Sequence, residues 1–432
     1  MTGTILRGRV LTFVDEPQSA NDHASYRYYE DGAVFIADGK IVAVGDYHKA
    51  NIAGATVIDH HPNLILPGLI DTHVHYPQMQ VIGSYAGALL EWLNTYTFVE
   101  EQKFGDSIHA ARIASRFFDE LIRHGTTTAV TYCSVHKVSA EAFFSEAEKR
   151  NMLAIGGKVM MDRNAPEALR DTPQQGYDDT KELIAEWHGR GRARYAITPR
   201  FAITSSPEQL EMAEALAREY PDCYIQTHLS ENLAEIEFAK ELYPNLGDYT
   251  GIYERYHLLG PMTLLGHSIH LSHREVEVLS DTRSVAVFCP TSNLFLGSGL
   301  FDYERLHKHG VRIAVATDVG GGTNYSMLKT LDEGFKVLQL RGQRLPPLNA
   351  FYLMTLGNAR ALSLEGTIGS LVPGADADIV VLDARATPQM ALRMETVSSL
   401  AGELFLLQTC GDDRSVAEVY VAGRAMKTTL PN

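Results

Sequence analysis

The segment LPGLIDTHVH, residues 66–75, is the first of eight short runs rich in Val, Ile, Ala and Leu. The other seven are GTTTAVTYCSV (125–135), MLAIGGKVMM (152–161), RYAITPRFAI (194–203), CYIQTHLS (223–230), TLLGHSIHL (263–271), SVAVFCPTSN (284–293) and VRIAVATDVG (311–320). Most are continuously apolar, which is typical of parallel strands buried on both faces. Stretches with helical periodicity separate them. The pattern predicts an α/β fold, a (β/α)8 barrel of the TIM type.

The two ends of the chain have a different pattern. Residues 32–46, GAVFIADGKIVAVGD, alternate as two strands around Asp38-Gly39, which predicts a β-hairpin. Residues 377–385 and 416–427 indicate further short strands, the latter turning at Ala422-Gly423. We therefore expect three parts in the chain: residues 1–66 and 370–432, which together build a small β-sandwich, and residues 67–369, which build the barrel.

Composition and charge limit the function classes. The 432 residues are 45% hydrophobic and 21% charged, as in ordinary globular proteins. With Lys+Arg 38 against Asp+Glu 53, the net charge is −15, and no basic run is present, so neither nucleic acid nor a membrane surface is expected as a partner. No signal peptide or transmembrane segment is predicted. Four widely spaced cysteines indicate reduced thiols in the cytoplasm: Cys133, Cys223, Cys289 and Cys410.

Polar side chains occur at the ends of four predicted strands. His73 and His75 lie two residues apart on the first strand, so both would point to the same side, and paired imidazoles suit a transition metal. His228 lies on the fifth strand, His267 on the sixth and Asp318 at the end of the eighth. Because the active sites of such barrels lie at the carboxyl ends of the strands, these side chains are expected to converge. The sequence predicts a metal site there.

Several of these motifs resemble a known superfamily. The sequence resembles the amidohydrolase superfamily of metal-dependent barrel hydrolases in four motifs: PGLIDTHVH, HLSE, GHSIH and ATDVG. The predicted β-sandwich from both ends of the chain, which includes VPGADADIVVLD, is similar to the companion domain of that superfamily. The resemblance covers nearly the whole chain. Within the superfamily, six stretches resemble the guanine deaminases: HYPQ (75–78), LLEWLNTYTF (89–98), GKVMMDRNAP (157–166), ITPRFAITSSPEQ (197–209), THLSEN (227–232) and FCPTSNLFLGSGLF (288–301). This resemblance implies that a cytoplasmic homodimer hydrolyses guanine to xanthine and ammonia in purine catabolism.

The resemblance also implies a metal site with defined ligands. A single ion is bound by four side chains: His73, His75, His228 and Asp318. His267 then hydrogen-bonds the attacking water. Binuclear relatives carry a carboxylated lysine on the fourth strand, but here that strand has no lysine and Lys158 lies on the third. One Zn2+ per chain is expected from the ligand types, with Fe2+ as the alternative.

Three residues are candidates for catalysis: Glu231, His267 and Asp318. Zinc lowers the pKa of a bound water to about 7, and the hydroxide would attack C2 of guanine, the carbon that carries the amine. The resemblance implies that Glu231 protonates N3 and that Asp318 moves the water proton to the leaving amine. Glu231 could instead cap the helix that begins near Asn232.

The expected substrate-binding residues are His75, Gln78, Arg200, Phe201, His228, Glu231 and Asp318. Arg200 would point a charged fork at the guanine carbonyl, and Gln78 offers both a donor and an acceptor. Arg200 could instead belong to a surface ion pair, and Phe201 could fill the top of the barrel rather than stack on the purine. Trp92 is either part of a lid or a packing residue.

Two other functions stay open. Another deaminase or chlorohydrolase of the superfamily, acting on 8-oxoguanine, cytosine, a triazine or an adenosine derivative, would share the metal residues and differ in the pocket. A non-catalytic assembly protein on the same barrel would typically lack metal ligands, which this sequence retains. The stretches around Gln78 and Arg200 favour guanine.

Overall fold

The computed structural model describes residues 3–19, 22–50, 54–85 and 87–430. The strands are β1 (Thr4–Phe13), β2 (Tyr26–Ala37), β3 (Lys40–Asp46), β4 (Thr56–Pro67), β5 (Leu69–His75), β6 (Thr126–Tyr132), β7 (Leu153–Gly157), β8 (Val159–Met160), β9 (Ala193–Pro199), β10 (Tyr224–Leu229), β11 (Thr263–His267), β12 (Val285–Phe288), β13 (Arg312–Val315), β14 (Ile379–Leu382), β15 (Val416–Val421) and β16 (Arg424–Ala425).

The helices are α1 (Leu89–Trp92), α2 (Phe98–Glu101), α3 (Ser107–Arg123), α4 (Lys137–Arg150), α5 (Pro173–Trp187), α6 (Pro207–Glu219), α7 (Leu233–Leu242), α8 (Tyr249–Arg255), α9 (His273–Thr282), α10 (Pro290–Phe295), α11 (Tyr303–Lys308), α12 (Met327–Leu340), α13 (Pro347–Tyr352), α14 (Asn358–Ala361), α15 (Pro388–Met394) and α16 (Leu400–Cys410). A π-helical turn, Leu93–Thr97, joins α1 to α2.

The central sheet is a nearly closed parallel barrel, which confirms the predicted (β/α)8 fold. Its order is β5, β6, β7, β9, β10, β11, β12 and β13, and β8 continues the third strand alongside β9. Two backbone hydrogen bonds bring the ends together: Asp318 N donates to His73 O at 2.9 Å, and His75 N donates to Val319 O at 2.6 Å. The closure therefore places two of the predicted ligands, His73 and Asp318, on adjacent segments.

Some strands end earlier than the sequence predicts, because the chain turns sharply at the carboxyl face. The run predicted over 263–271 ends at His267, and the run over 311–320 ends at Val315. His267 and Asp318 have φ angles of 71° and 52°, in the left-handed region that non-glycine residues rarely adopt. Such backbone strain persists where surrounding structure over-determines it and clusters at functional sites.

A second sheet combines both ends of the chain, as predicted. Its order is β16, β15, β14, β4, β1, β2 and β3. The two predicted hairpin turns are present, with positive φ at Asp38-Gly39 and at Ala422-Gly423. This sheet has a hydrophobic core of its own, which includes Leu6, Val34, Ile65 and Ile379.

No element was predicted for residues 388–410, where α15 and α16 lie. The sequence of α16, LAGELFLLQTC, is apolar without a clear face, and the helix packs against α12 and α13.

None of the helices within the described residues has the length and apolar character needed to span a bilayer. All four cysteines are free thiols.

Candidate active site

Four potential metal ligands meet at the carboxyl end of the barrel. His75 Nε2 lies 3.3 Å from His73 Nε2 and 3.2 Å from His228 Nε2. Asp318 Oδ1 lies 3.3 Å from His73 Nε2 and 3.5 Å from His75 Nε2. Ligands at the corners of a tetrahedron, each about 2.1 Å from a zinc ion, are roughly 3.4 Å apart. The spacing therefore fits a single transition-metal ion.

The protonation of these groups fits the same interpretation. His228 Nδ1 donates to the carbonyl oxygen of Arg200 at 2.7 Å, which leaves the Nε2 lone pair facing the cluster. Burial lowers the pKa of His75 and of His228 well below its usual value, so both imidazoles are neutral. Burial alone would raise the pKa of Asp318, but the neighbouring histidines, His73 first, hold it below its usual value. Imidazole nitrogens and a carboxylate oxygen form a donor set for a divalent metal.

Two residues that the sequence analysis did not single out hold the imidazole rings in place. The ring of Tyr132, at the end of β6, stacks on His75 with centroids 4.4 Å apart and lies 4.7 Å from the ring of His73. A Cβ on Gly266 would lie 2.6 Å from Cε1 of His73, so this position in β11 accommodates only glycine. Both residues lie in predicted strands, but strand periodicity gives no signal for either role.

Asp71 is a further buried carboxylate next to the cluster. It accepts hydrogen bonds from Thr317 N at 3.1 Å, from Thr317 Oγ1 at 2.5 Å and from His73 N at 3.3 Å. Burial raises the pKa of Asp71 to about 6. These contacts fasten β5 to the segment after β13, and so position His73 against Asp318.

Glu231 lies beside the cluster with its side chain buried. Ser298 Oγ donates to Glu231 Oε1 at 2.8 Å, and Glu231 Oε2 lies 3.3 Å from His267 Nε2. Burial first, then the charges of Glu235 and Asp318, raise the pKa of Glu231 well above its usual value. The protonated acid is therefore the favoured form.

The helix that follows Glu231 has a different cap. The side chain of Asn232 accepts a hydrogen bond from Ala234 N at 2.9 Å, and Glu235 completes a capping box. The structure thus gives the cap of α7 to Asn232 and Glu235, and the carboxyl of Glu231 faces the site instead.

His267 borders the ligand cluster but has the opposite tautomer. Asn293 Nδ2 donates to His267 Nδ1 at 2.9 Å, so the ring proton is on Nε2. That N–H faces the carboxylates of Glu231, at 3.3 Å, and Asp318, at 3.8 Å from Oδ2. The Nε2–H of His267 is therefore a hydrogen-bond donor to the site, whereas Nε2 of His228 directs a lone pair at the cluster.

A cavity opens above the cluster and collects all the other residues predicted to bind substrate. Besides three of the cluster residues, His75, His228 and Asp318, it is lined by Gln78, Leu89, Trp92, Leu93, Arg200, Phe201, Glu231, His267, Leu296 and Gly321. The indole nitrogen of Trp92 is buried and has no hydrogen-bond partner among the described residues. Because Trp92 is one of the lining residues, it belongs to the wall of the cavity.

Arg200 forms an ion pair, but a buried one rather than the surface pair considered above. Arg200 Nη1 donates to Glu101 Oε1 at 2.9 Å and to Oε2 at 2.8 Å. Gln78 Nε2 donates to the same carboxylate at 2.9 Å, and Gln78 Oε1 accepts from Gly320 N at 3.2 Å. Glu101 was not predicted. It lies three residues beyond the stretch 89–98 and only its burial distinguishes it from a solvated glutamate.

Lys158, on the third barrel strand, is fully buried and occupied elsewhere. Its Nζ donates to Asp171 Oδ2 at 2.5 Å and to Val159 O at 3.2 Å. The chain therefore holds this lysine in an ion pair with Asp171.

The comparisons with known proteins agree with this geometry. The model described as Amidohydrolase family matches residues 64–426. The chain belongs to the amidohydrolase family. It is 46% identical to the guanine deaminase of Escherichia coli (strain K12) over 418 residues, which are 96% of this chain and 95% of that relative. This amidohydrolase is thus a hydrolase that acts on C–N bonds, and its predicted resemblance to the guanine deaminases is confirmed.

Two solved structures extend the likeness to three dimensions. The crystal structure of guanine deaminase from Bradyrhizobium japonicum is similar with a TM-score of 0.95 at 38% identity, covering 99% of both chains. That of guanine deaminase from C. acetobutylicum, with guanine bound in the active site, has a TM-score of 0.89 at 30% identity and covers 98% of this chain and 100% of its own.

Proposed function

We propose that this amidohydrolase converts guanine and water to xanthine and ammonia, with one metal ion bound per chain. The observation that carries the proposal is the meeting of two sets of groups in one cavity: a four-ligand cluster and the polar side chains of Arg200 and Gln78. The relatives support guanine as the substrate, since they are guanine deaminases and one of them holds guanine in its active site.

The metal would be held by four residues: His73, His75, His228 and Asp318. Their nitrogen and oxygen ligands favour Zn2+, and Fe2+ accepts the same set. When bound, the ion supplies a nucleophile at neutral pH by lowering the pKa of a coordinated water to about 7. A single ion is supported because β9 carries no lysine and Lys158 is paired with Asp171.

Glu231 acts as the general acid. Its burial favours the protonated carboxyl, which can give its proton to N3 of the purine as electron density moves onto the ring. The hydroxyl of Ser298 holds Oε1, so Oε2 remains directed towards His267. The acid is thereby fixed beside the reacting carbon without serving as a ligand.

His267 and Asp318 handle the attacking water. The Nε2–H of His267 donates to the water oxygen and orients it, while Asp318 Oδ2, the oxygen facing His267, accepts a water proton. Asp318 then passes that proton to the amine leaving C2. As the C2–N bond breaks, the proton of the new C2 hydroxyl passes to the Glu231 carboxylate and restores the acid, the C2 carbonyl of xanthine forms, and ammonia leaves.

Arg200 reads the other end of guanine. Its Nη1 is engaged by Glu101, and the remaining donors of the guanidinium are available to the carbonyl oxygen at C6. Gln78 adds a second polar contact, and the ring of Phe201 forms part of the wall. The base would thus lie between these side chains and the residues at the cluster: His75, His228, Glu231 and Asp318.

A substrate screen tests this proposal. Ammonia release is measured for guanine, 8-oxoguanine, cytosine, adenine and guanosine, with xanthine identified as the product from guanine. We expect guanine to be the preferred substrate by kcat/KM. Turnover of adenine or cytosine without turnover of guanine would contradict the proposal in favour of another deaminase on the same barrel.

We further infer that the enzyme is a cytoplasmic homodimer. The support is the resemblance to its family together with four free thiols. Light scattering of the purified protein is expected to give twice the chain mass of 47.7 kDa. A single chain mass at micromolar concentration would contradict the dimer.

A further inference from the structure

Glu101 is a buried carboxylate that the proposed reaction does not use. It ends α2, and its side chain is 1% exposed, against 3% for that of its partner Arg200. The carboxylate accepts two hydrogen bonds from Arg200 Nη1 and one from Gln78 Nε2, at 2.8–2.9 Å. Because both donors line the cavity, Glu101 stands directly behind its polar wall.

The first consequence concerns the amide of Gln78. A carboxylate can only accept and a backbone N–H can only donate. With Glu101 on one side and Gly320 N on the other, a single orientation of the amide satisfies both contacts. Glu101 therefore fixes the orientation of the Gln78 amide, and so determines which donor and acceptor positions of that amide remain available to a ligand.

The second consequence concerns the charge of Arg200. A guanidinium buried without a partner would attract anions, and its desolvation would be uncompensated. The carboxylate of Glu101 cancels that charge and fixes Nη1, while the ring of Phe98 lies 5.5 Å from the guanidinium carbon. The cavity thus presents directed N–H donors with little net charge, which suits a neutral ligand that carries a carbonyl.

We propose that Glu101 is a positioning residue that sets the substrate preference of the site: it aims Arg200 and Gln78 at the carbonyl of a neutral purine and removes the charge that would favour an anion. This inference rests on the proposed function, because it assigns the carbonyl to C6 of guanine. It concerns binding and does not involve the metal ligands.

The test compares Glu101→Gln with Glu100→Gln. Glu100 lies on the same helix, but it pairs with Lys103, so its substitution serves as the matched control. For Glu101→Gln we expect KM for guanine to rise by about 10-fold or more, the loss of a charge-assisted hydrogen bond, with kcat changed less than about 3-fold. Metal content should remain that of the unmodified enzyme, and Glu100→Gln should behave like it throughout.

A second substrate separates positioning from a merely structural role. 2,6-Diaminopurine presents an amine where guanine has its C6 carbonyl and keeps the reactive C2 amine. The preference for guanine over this analogue should fall by about 10-fold in Glu101→Gln, because misaligned donors no longer favour an acceptor. Glu101→Asp restores the charge one methylene short and should recover part of the preference.

The double variant Arg200→Met/Glu101→Gln removes both charges of the buried pair, so it leaves neither of them unpaired. In an Arg200→Met background, adding Glu101→Gln should change the guanine preference by less than about 3-fold, since contacting residues are not additive. Equal losses on both purines, wild-type behaviour of Glu101→Gln, or multiplying effects in the double variant would overturn the inference. Absence of guanine turnover by the unmodified enzyme would instead overturn the proposed function.

Discussion

The two halves of the cavity are built in different ways. The half that would hold the metal, called here the metal half, consists of His73 and His75 on β5, His228 on β10 and Asp318 in the turn after β13. The hydrogen-bonded barrel itself therefore sets their positions. The substrate half combines Arg200, which directly follows β9, with Gln78, Trp92 and Glu101 from the short helical turns between β5 and α3. One half is thus held by backbone pairing, whereas the other depends on how a long connecting segment packs onto the barrel.

The halves also differ in whether their charges are matched. Arg200 and Glu101 form an ion pair, so the opposite charges of the substrate half are matched within the protein. In the metal half, acceptor atoms of four ligands face one another at 3.2–3.5 Å. Lone pairs directed at one point repel unless a cation lies between them. A bound cation would therefore stabilise the metal half, whereas the charges of the substrate half are already paired.

The largest expected effect follows from removing that ion. Elemental analysis should find about one transition metal per chain, and chelation should abolish activity and lower Tm, because a ligand that binds the folded state stabilises it. One equivalent of Zn2+ should restore both. Two metal ions per chain, or full activity after rigorous chelation, would contradict a single site.

The next effect concerns the acid between the two halves. Glu231→Gln keeps the shape of the side chain but cannot donate a carboxyl proton, so kcat should fall by roughly 10²–10⁴. Metal content should be unchanged, since Glu231 is not a ligand. Glu237→Gln, on the exposed side of the following helix, is the control. Normal turnover by a folded, metal-loaded Glu231→Gln enzyme would rule out the proton transfer.

A smaller loss is expected in the substrate half. Arg200→Met removes the guanidinium and should lower kcat/KM for guanine by about 10²-fold, in line with roughly 1.5–3 kcal/mol for a charged hydrogen bond. The handicap of 2,6-diaminopurine should shrink in the same variant, because no donor then faces its C6 amine. Equal loss on both substrates would mean that Arg200 supports the fold or the cluster and does not read the base.

The metal half could be predicted from sequence to a degree that the substrate half could not. His73 and His75 lie two residues apart on a recognisable strand, so their side chains point to the same side. The carboxyl ends of parallel strands lie at one face of the barrel, whatever the conformation of the loops. The early ends of β11 and β13 were missed, because the left-handed turns there fall on His267 and Asp318 rather than on glycine. Backbone conformation at such positions is imposed by tertiary contacts, which no local pattern records.

Glu101 illustrates why the substrate half was harder. Glu100 and Glu101 are adjacent and chemically identical, yet Glu100 pairs with Lys103 while Glu101 is buried against Arg200. Two short helices and a π-helical turn set that difference, and the stretch shows no regular periodicity from which the buried face could be read. Arg200 itself could be placed at a strand end, but its partner is 99 residues away in sequence.

The smallest effect tests whether Trp92 contacts the substrate or only packs in the wall of the cavity. Its indole N–H is buried without a partner among the described residues, and the same is true of Trp187. The ring of Trp187 stacks on that of Phe144, with centroids 5.5 Å apart. The two tryptophans differ in position, because Trp92 lines the cavity and Trp187 does not. The N–H of Trp92 is therefore a donor available to a ligand, and we expect Trp92 to contact the substrate.

Substituting each tryptophan by phenylalanine measures this contact. Both variants lose a similar volume of buried ring, so Tm should fall to a similar extent in Trp92→Phe and Trp187→Phe. Only Trp92→Phe should raise KM for guanine, by about 2–10-fold, the loss of one neutral hydrogen bond. If KM stays unchanged in both variants, Trp92 only packs the wall, and recognition in this half of the cavity rests on Arg200 and Gln78.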